Sequence, residues 1–436
     1  MLSRSAETLR KPTRQSLVSA LFFLLLMAQA LGVAGQSGIR PPPSPTPAVP
    51  GKTESAFVPD RNRDEYQLAF GKGYELKRGQ KGDPDQQWEN YTAGFIDELN
   101  RIGAQGYRVI SIASSPRLAV LKRAEQQYEY SIIQISNHKR IVDGDAQFGP
   151  KYAAWAQKGF RVADYTVFYD WCWPGQWNEN GNWEPVDCTY RSEALLERQK
   201  NAESPHSYEI VSAPLTLSKE KIETGLEERL ANVRKRKLYP THMLTRFQLL
   251  TQSSLGNMDF IGDEYETEMV SGDVKKRITE LAQHGYRLLL RPLWFQAAIM
   301  HRKKGTQAAT SYIWVSEKKL EQELPALQRQ GLIYRMSYGC AIGMLSQPHM
   351  IFEQPSERDG KQREYKIVGI ELNLIENDAT QRMEFKLSSA SINITPELNR
   401  LTKEGFEVRD FFACDMSDKK TKSSRARILL ERVSSK

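Results

Sequence analysis

Five times along this chain, apolar residues stand at positions i, i+4 and i+7, and a glycine follows four residues after the last of them. The sets are Phe95, Leu99, Ile102 with Gly106; Phe148, Tyr152, Trp155 with Gly159; and Val274, Ile278, Leu281 with Gly285. Leu320, Leu324, Leu327 with Gly331 and Ile394, Leu398, Leu401 with Gly405 complete them. The three apolar positions share one face of a helix. The glycine stands where a helix closes in the left-handed conformation, which only glycine adopts at little cost.

After each glycine the period changes to two, as in Tyr107-Arg108-Val109-Ile110-Ser111-Ile112 and Phe406-Glu407-Val408-Arg409-Asp410-Phe411, which predicts strands. A further short strand follows and usually ends in arginine, at Arg123, Arg198, Arg302 and Arg432. Ahead of each helix lies a tyrosine-bearing strand, such as Tyr128-Glu129-Tyr130-Ser131-Ile132-Ile133 or Tyr365-Lys366-Ile367-Val368. A sixth, degenerate copy carries Leu226, Leu230 and Val233, with Lys237 in the glycine position and Pro240 inside the following strand. A lysine at positive φ is costly, so this helix is expected to end differently.

The chain is therefore read as α+β, built from tandem β-α-β-β units whose mostly antiparallel sheets carry helices on one face. The first helical anchors lie 53, 78, 48, 46 and 74 residues apart, too irregular for a stacked solenoid. One such unit buries little surface alone, so pairs sharing a core are expected. The boundaries are 65–203 for units one and two, 204–305 for three and four, and 306–436 for five and six. Polar sheet faces opposite the helices would be candidate interaction surfaces.

The unit resembles a small bacterial family of domains of unknown function, the one numbered four-one-seven-seven. In that family a tyrosine-rich strand precedes a helix ending in leucine, two or three residues and glycine, followed by aromatic-Glu-Leu-Val and a last strand ending in Lys-Arg. Leu99 to Val109 with Leu121-Lys122-Arg123, and Leu281 to Leu288, match best. Arginine stands at Arg108, Arg161 and Arg287 where the family commonly has glutamate. The resemblance covers residues 65–436 and implies a fold without implying any chemistry.

The N-terminus has a basic stretch up to Arg14, an apolar run from Leu17 to Met27, and small residues around Ala28-Gln29-Ala30 and Ala34-Gly35. Residues 1–35 are read as a secretory signal, which predicts a periplasmic or extracellular protein. The alternative is an uncleaved membrane anchor, since a helix of this length spans about 27 Å. Residues 36–64 form a linker rich in proline, including Arg40-Pro41-Pro42-Pro43-Ser44-Pro45. The net charge of +8 is spread along the chain with no basic block, so nucleic acid is not an expected partner.

Unit two carries an insertion, 169–190, in which Cys172 and Cys188 bracket a turn around Asn180-Gly181. In an oxidising compartment these two cysteines are expected to pair. Cys340 and Cys414 each lie nine residues beyond their unit's glycine and could pair if units five and six are related by a two-fold axis. Trp171, Trp173, Trp177 and Trp183 crowd the insertion beside three asparagines, a composition suited to stacking on sugars or gripping a peptide. The rival reading is that the rings cover their own hairpin. The six histidines are isolated, and no metal, phosphate-loop, dinucleotide or nucleophile-elbow spacing occurs, so no metal, cofactor or catalytic residue is expected. Asp164 and Asp410, the repeated arginines, His284 and His301 are read as outward-facing.

Two functions fit these features: a non-catalytic binding or scaffold protein of the cell envelope, with a glycan or protein partner, or a hydrolase of envelope polymer. The hydrolase would use carboxylates near the hairpin, such as Asp170, Glu179 and Asp187.

Overall fold

A computed structural model describes residues 64–71, 74–75, 84–114, 117–138, 141–172, 176–177, 183–184, 188–202, 204–212, 228–245, 248–253, 265–271, 273–293, 297–338, 349–355, 360–377, 382–387, 394–418 and 423–435. The expected signal segment and the proline-rich linker lie outside these residues, as do Trp173, Glu179, Asp187, Leu226 and Cys340. Among the described residues no helix is long and apolar enough to cross a membrane.

Unit one contains β1 (Tyr66–Phe70), the short β2 (Tyr74–Glu75), α1 (Pro84–Gly103), β3 (Tyr107–Ser114) and β4 (Arg117–Arg123). Unit two contains β5 (Tyr128–His138), α2 (Ile141–Ala156), β6 (Arg161–Cys172), β7 (Gln176–Trp177), β8 (Trp183–Glu184) and β9 (Cys188–Gln199). In unit three β10 (Tyr208–Ser212) is followed by α3 (228–235), β11 (Leu238–Thr245) and β12 (Gln248–Ser253). Unit four has β13 (Tyr265–Ser271), α4 (Val274–Gln283), β14 (Arg287–Leu293) and β15 (Ala297–Lys303). Unit five has β16 (Thr310–Ser316), α5 (Glu317–Gln330), β17 (Ile333–Tyr338) and β18 (His349–Pro355). Unit six has β19 (Lys361–Asn377), β20 (Arg382–Leu387), α6 (Ile394–Lys403), β21 (Glu407–Asp418) and β22 (Ser423–Ser435).

Every unit forms an antiparallel sheet in which the last strand lies between the first strand and the strand after the helix. The centre strand pairs on both sides, and the helix crosses from one edge to the other. The helices end as their spacing predicts. Gly106, Gly159, Gly285, Gly331 and Gly405 all have φ between 70° and 88°. The last stripe residue then accepts from the amide just beyond the glycine, as from Phe160 to Trp155, Tyr286 to Leu281 and Phe406 to Leu401, each at 3.1 Å. This closure brings the residue after the glycine onto the stripe, so it is aromatic or apolar in every unit. Unit three departs from expectation: Lys237 takes φ 58°, so this helix closes as its glycine-ended counterparts do, with the strain retained.

The stripes are buried. Phe95, Leu99, Phe148, Tyr152, Ile278, Leu320 and Leu398 are all fully inaccessible. The helices of units one, two, four, five and six each lie on one face of their own sheet and also on the sheet of the following unit. Phe95, Leu99 and Ile102 share a core with Tyr128, Tyr130 and Leu195 of unit two. Val274, Ile278 and Leu281 meet Tyr312 and Ile351 of unit five. Leu320, Leu324 and Leu327 meet Tyr365 and Leu429 of unit six. The last helix returns to the first unit, since Ile394, Leu398 and Leu401 share a core with Tyr66, Leu118 and Val120.

The sheet faces expected to stay open and partly polar are therefore covered by the preceding unit. This explains why the centre strands are apolar on both faces. In β4, Leu118 and Val120 face unit six, while Ala119 and Leu121 face α1. The post-helix strands also touch in sequence, β3 to β6, then β11, β14, β17 and β21, and β21 touches β3. The six units thus close into a ring. Residues 57–436 form one compact unit, so grouping the units in pairs marks no boundary in the core.

Candidate functional site

The polar residues of this ring collect at the junctions between units. Each post-helix strand has a β-bulge three to five residues after its helix-ending residue, between Val109 and Ser111, Val162 and Asp164, Pro240 and His242, Leu288 and Leu290, Tyr334 and Met336, and Val408 and Asp410. A bulge turns one backbone N–H out of the ladder, and that donor needs an acceptor. At four of the six junctions the repeated tyrosine of the next unit's first strand supplies it. Tyr130 Oη accepts from Val109 N, Tyr312 Oη from Leu288 N and Tyr365 Oη from Tyr334 N, each at 2.9 Å. Tyr66 Oη does the same for Val408 N at 3.2 Å, which closes the ring with the bond used elsewhere. Burial, followed by the charge of the neighbouring glutamate, pushes the Tyr130, Tyr312 and Tyr365 hydroxyls far above the usual tyrosine range.

Opposite each tyrosine, and opposite Thr267 at that position in unit four, stands a polar residue of the centre strand that also pairs with the strand after the helix. Round the ring these are Lys122, Glu197, Gln252, His301, Glu353 and Glu431. Glu197 is held by Arg161 of its own unit and, at 3.0 Å, by Arg108 of unit one. Glu353 is held by Arg335 of its own unit at 2.5 Å and by Arg287 of unit four at 3.5 Å. Glu431 meets Arg409 at 2.6 Å, Arg363 at 3.3 Å and Tyr365 Oη at 2.9 Å. At the closing junction the charges are exchanged, with Glu407 of unit six 3.8 Å from Lys122 of unit one. Asn399 and Asn100 bridge further: each amide accepts from the N–H and donates to the C=O of the next unit's tyrosine, Tyr66 and Tyr130. That side chain occupies a sheet edge that would otherwise offer unpaired backbone.

Several residues read as outward-facing are structural instead. Asp410 is buried, and its carboxylate accepts from Tyr334 Oη, from Ser337 N at 3.2 Å and from Phe411 N at 2.8 Å. Arg198, Arg302 and Arg432 lie 4.6, 4.5 and 4.7 Å from the centres of the Phe160, Tyr286 and Phe406 rings. They also donate to the helix-end carbonyls of Lys158, His284 and Glu404. A cation at a helix C-terminus complements its dipole, and the aromatic is the residue that follows the glycine. His284 is exposed as expected, whereas His301 is buried. The bulges and the tyrosine bonds have no counterpart in the spacing patterns. Their only trace in the sequence is that the tyrosines recur at one position.

Unit two differs from the others in carrying the short strands β7 and β8 between β6 and β9. Its strands β6 and β9 run on past a second register shift, between Tyr169 and Trp171, until Cys172 stands opposite Cys188, with Trp171 opposite Thr189. Beyond them β7 and β8 pair Trp177 with Trp183 across a two-stranded hairpin. Trp171 lies on β6 beside Asp170, and Trp177 and Trp183 lie on β7 and β8. Cys414 lies on β21, next to β17, the strand that leads towards Cys340.

Among the described residues no group of three His, Cys, Asp or Glu side chains could hold a metal ion. A cavity of about 230 Å³ opens in unit four beside Arg287, His301 and Lys303. No family model, no curated protein and no solved structure matches this chain.

Proposed function

We propose that this protein is an exported, non-catalytic binding or scaffold protein of the cell envelope. In this reading the six-unit ring is the frame and the tryptophan hairpin of unit two is its contact element. The observation that supports the reading best is the commitment of the buried carboxylates. Glu197, Glu431 and Asp410 each accept from two or more partners in the unit-to-unit seams, and Glu353 accepts from Arg335 with Arg287 3.5 Å away. A carboxylate engaged in this way has no room to exchange protons with a substrate.

The β7 and β8 pair offers the opposite character: a short antiparallel ribbon that sets Trp177 opposite Trp183. Aromatic faces on such a ribbon suit sugar rings, and an envelope glycan is the partner proposed. The Cys172 and Cys188 backbones are cross-strand partners, a placement whose Cα spacing of about 4.5–5.5 Å a disulfide can bridge. We take them as the clamp at the base of the ribbon. The likeness of the repeat to the bacterial family described above belongs to the same proposal.

Titration of the mature protein with peptidoglycan fragments, following tryptophan fluorescence, tests the reading. A saturable change that disappears in a Trp177→Ala, Trp183→Ala double variant supports it. No change with any glycan, or release of shortened glycan products on incubation, overturns it.

A further inference from the structure

Five of the six junctions join units that are also consecutive in the chain, through links such as residues 124–127 and 304–309. Where unit six meets unit one no short link holds the two sides together, so only contacts close the ring. Its core bonds copy those between units one and two. Asn399 Oδ1 accepts from Tyr66 N at 2.9 Å, as Asn100 Oδ1 does from Tyr130 N at 2.7 Å. Tyr66 Oη accepts from Val408 N at 3.2 Å, as Tyr130 Oη does from Val109 N at 2.9 Å. The charged contacts differ. Between units one and two, Arg108 and Arg161 share the carboxylate of Glu197, which is 1% exposed. At the closing junction the centre strand carries Lys122, 4.0 Å from Glu65 and 3.8 Å from Glu407, whose side chain is 55% exposed. An exposed pair at such spacing contributes little and is screened by salt.

A second kind of contact stands at this junction. In units two, four and five no more than two residues separate the first strand from the helix. In unit one β2 intervenes there, and in unit six β20 does. These two insertions meet. β19 runs on beyond the end of β22 and pairs with β20 from Leu372 to Asn377. The other edge of β20 pairs with β2, Tyr74 opposite Glu384 and Glu75 opposite Met383. The sheet of unit six thus takes in a strand from unit one. A ladder of two residue pairs is not stable by itself, so it can break and re-form while the sheets on either side stay folded.

We propose that the ring opens at the junction of unit six with unit one, and that the β19–β20 arm is the strap that latches it. This device is independent of the tryptophan hairpin, which lies in unit two. Hydrogen exchange on the full chain, read by mass spectrometry with fragmentation, compares the amides of Val408 and Val109, which make the same bond at two junctions. The Val408 amide is expected to exchange at least about tenfold faster, as local opening requires. Cross-strand partners lie close enough for a disulfide, so Tyr74→Cys with Glu384→Cys should lock the strap when oxidised. The lock should slow exchange at Val408 and leave Val109 unchanged, and reduction of the same molecule should restore the difference. Equal exchange of the two amides in the native chain leaves no opening at this junction and overturns the proposal. Unchanged Val408 exchange in the oxidised variant, or failure of the two introduced cysteines to pair, removes the strap and overturns it as well.

Discussion

The junction between units one and two and the junction between units two and three solve one problem with different residues. In the first, the bulge N–H of Val109 is bound by Tyr130, while the carboxylate of Glu197 gathers Arg108 and Arg161. In the second, a single side chain serves: Gln252 accepts from Val162 N at 2.9 Å and from Tyr152 Oη at 2.8 Å, and its amide donates to Val162 O at 3.2 Å. Tyr208, which aligns with Tyr130, is edge-on to Tyr152 instead, with centroids 4.6 Å apart. Unit three also closes its helix with Lys237 in place of glycine. The ring therefore conserves a geometric demand, a bulge that needs an acceptor from the next sheet, more strictly than it conserves the residue that answers it.

Removing a buried carboxylate should produce the largest effect. Glu353→Ala leaves the partly exposed Arg335 and Arg287 without their buried carboxylate and should cost about 3 kcal/mol in urea unfolding. Gln252→Ala, which removes hydrogen bonds but no charge, should cost less than Glu353→Ala; equal losses would show that charge is not what separates the two kinds of junction. The tyrosines come next. Tyr130→Phe strands the Val109 amide and should cost about 1–3 kcal/mol, whereas Tyr208→Phe should shift the unfolding midpoint little. If both tyrosines behave alike, the tyrosine-to-bulge bond is not the fastening described here.

The helix ends offer a smaller contrast of opposite sign. Lys237→Gly relieves a side chain at φ 58° and should stabilise by about 1 kcal/mol. Gly159→Ala should destabilise, because its φ is 81° and a Cβ there would lie 2.5 Å from Ala202 O. Thermal unfolding of the two variants reads both signs at once.

The last contrast concerns acid. His206 and His242, both at the unit two and three junction, are pushed down to about 4, chiefly by burial and then by the charge of Arg161. Between the ordinary histidine value of about 6.5 and pH 4 the unfolded chain takes up protons that the folded chain refuses. Stability from this junction is thus full above about pH 6.5 and declines as pH falls through that window. His242→Gln should flatten the decline, as measured by urea midpoints from pH 7 to pH 4.5. An unchanged slope would place the acid sensitivity elsewhere.

Much of the unit was legible because its signals are local. The stripe from Phe95 to Ile102 with Gly106, the switch to period two at Tyr107 and the recurrence of both follow from helix and strand geometry, which neighbouring residues set among themselves. The roles of Arg198, Arg302 and Arg432 were not legible, because each depends on a ring and a helix end that lie far away in sequence. Asp410 was misread for the same reason, since its partners Tyr334 and Ser337 belong to another unit. For the tryptophan hairpin, the sequence supplied Asn180-Gly181 and the bracketing cysteines, and the fold added the strand register that sets Trp177 opposite Trp183 and Cys172 opposite Cys188.

The sequence by itself determined six copies of a strand, helix, strand, strand unit and the closure of the glycine-ended helices. Short-range periodicity and the steric freedom of glycine are enough for that. Only the tertiary structure decided that the units form one ring in which the helices of units one, two, four, five and six each lie between two sheets. Closure depends on Tyr66 and Asn399, residues 333 positions apart, finding each other. No window along the chain contains a contact of that range, and the apolar faces that produce it look the same in sequence whether they meet their own unit or the next.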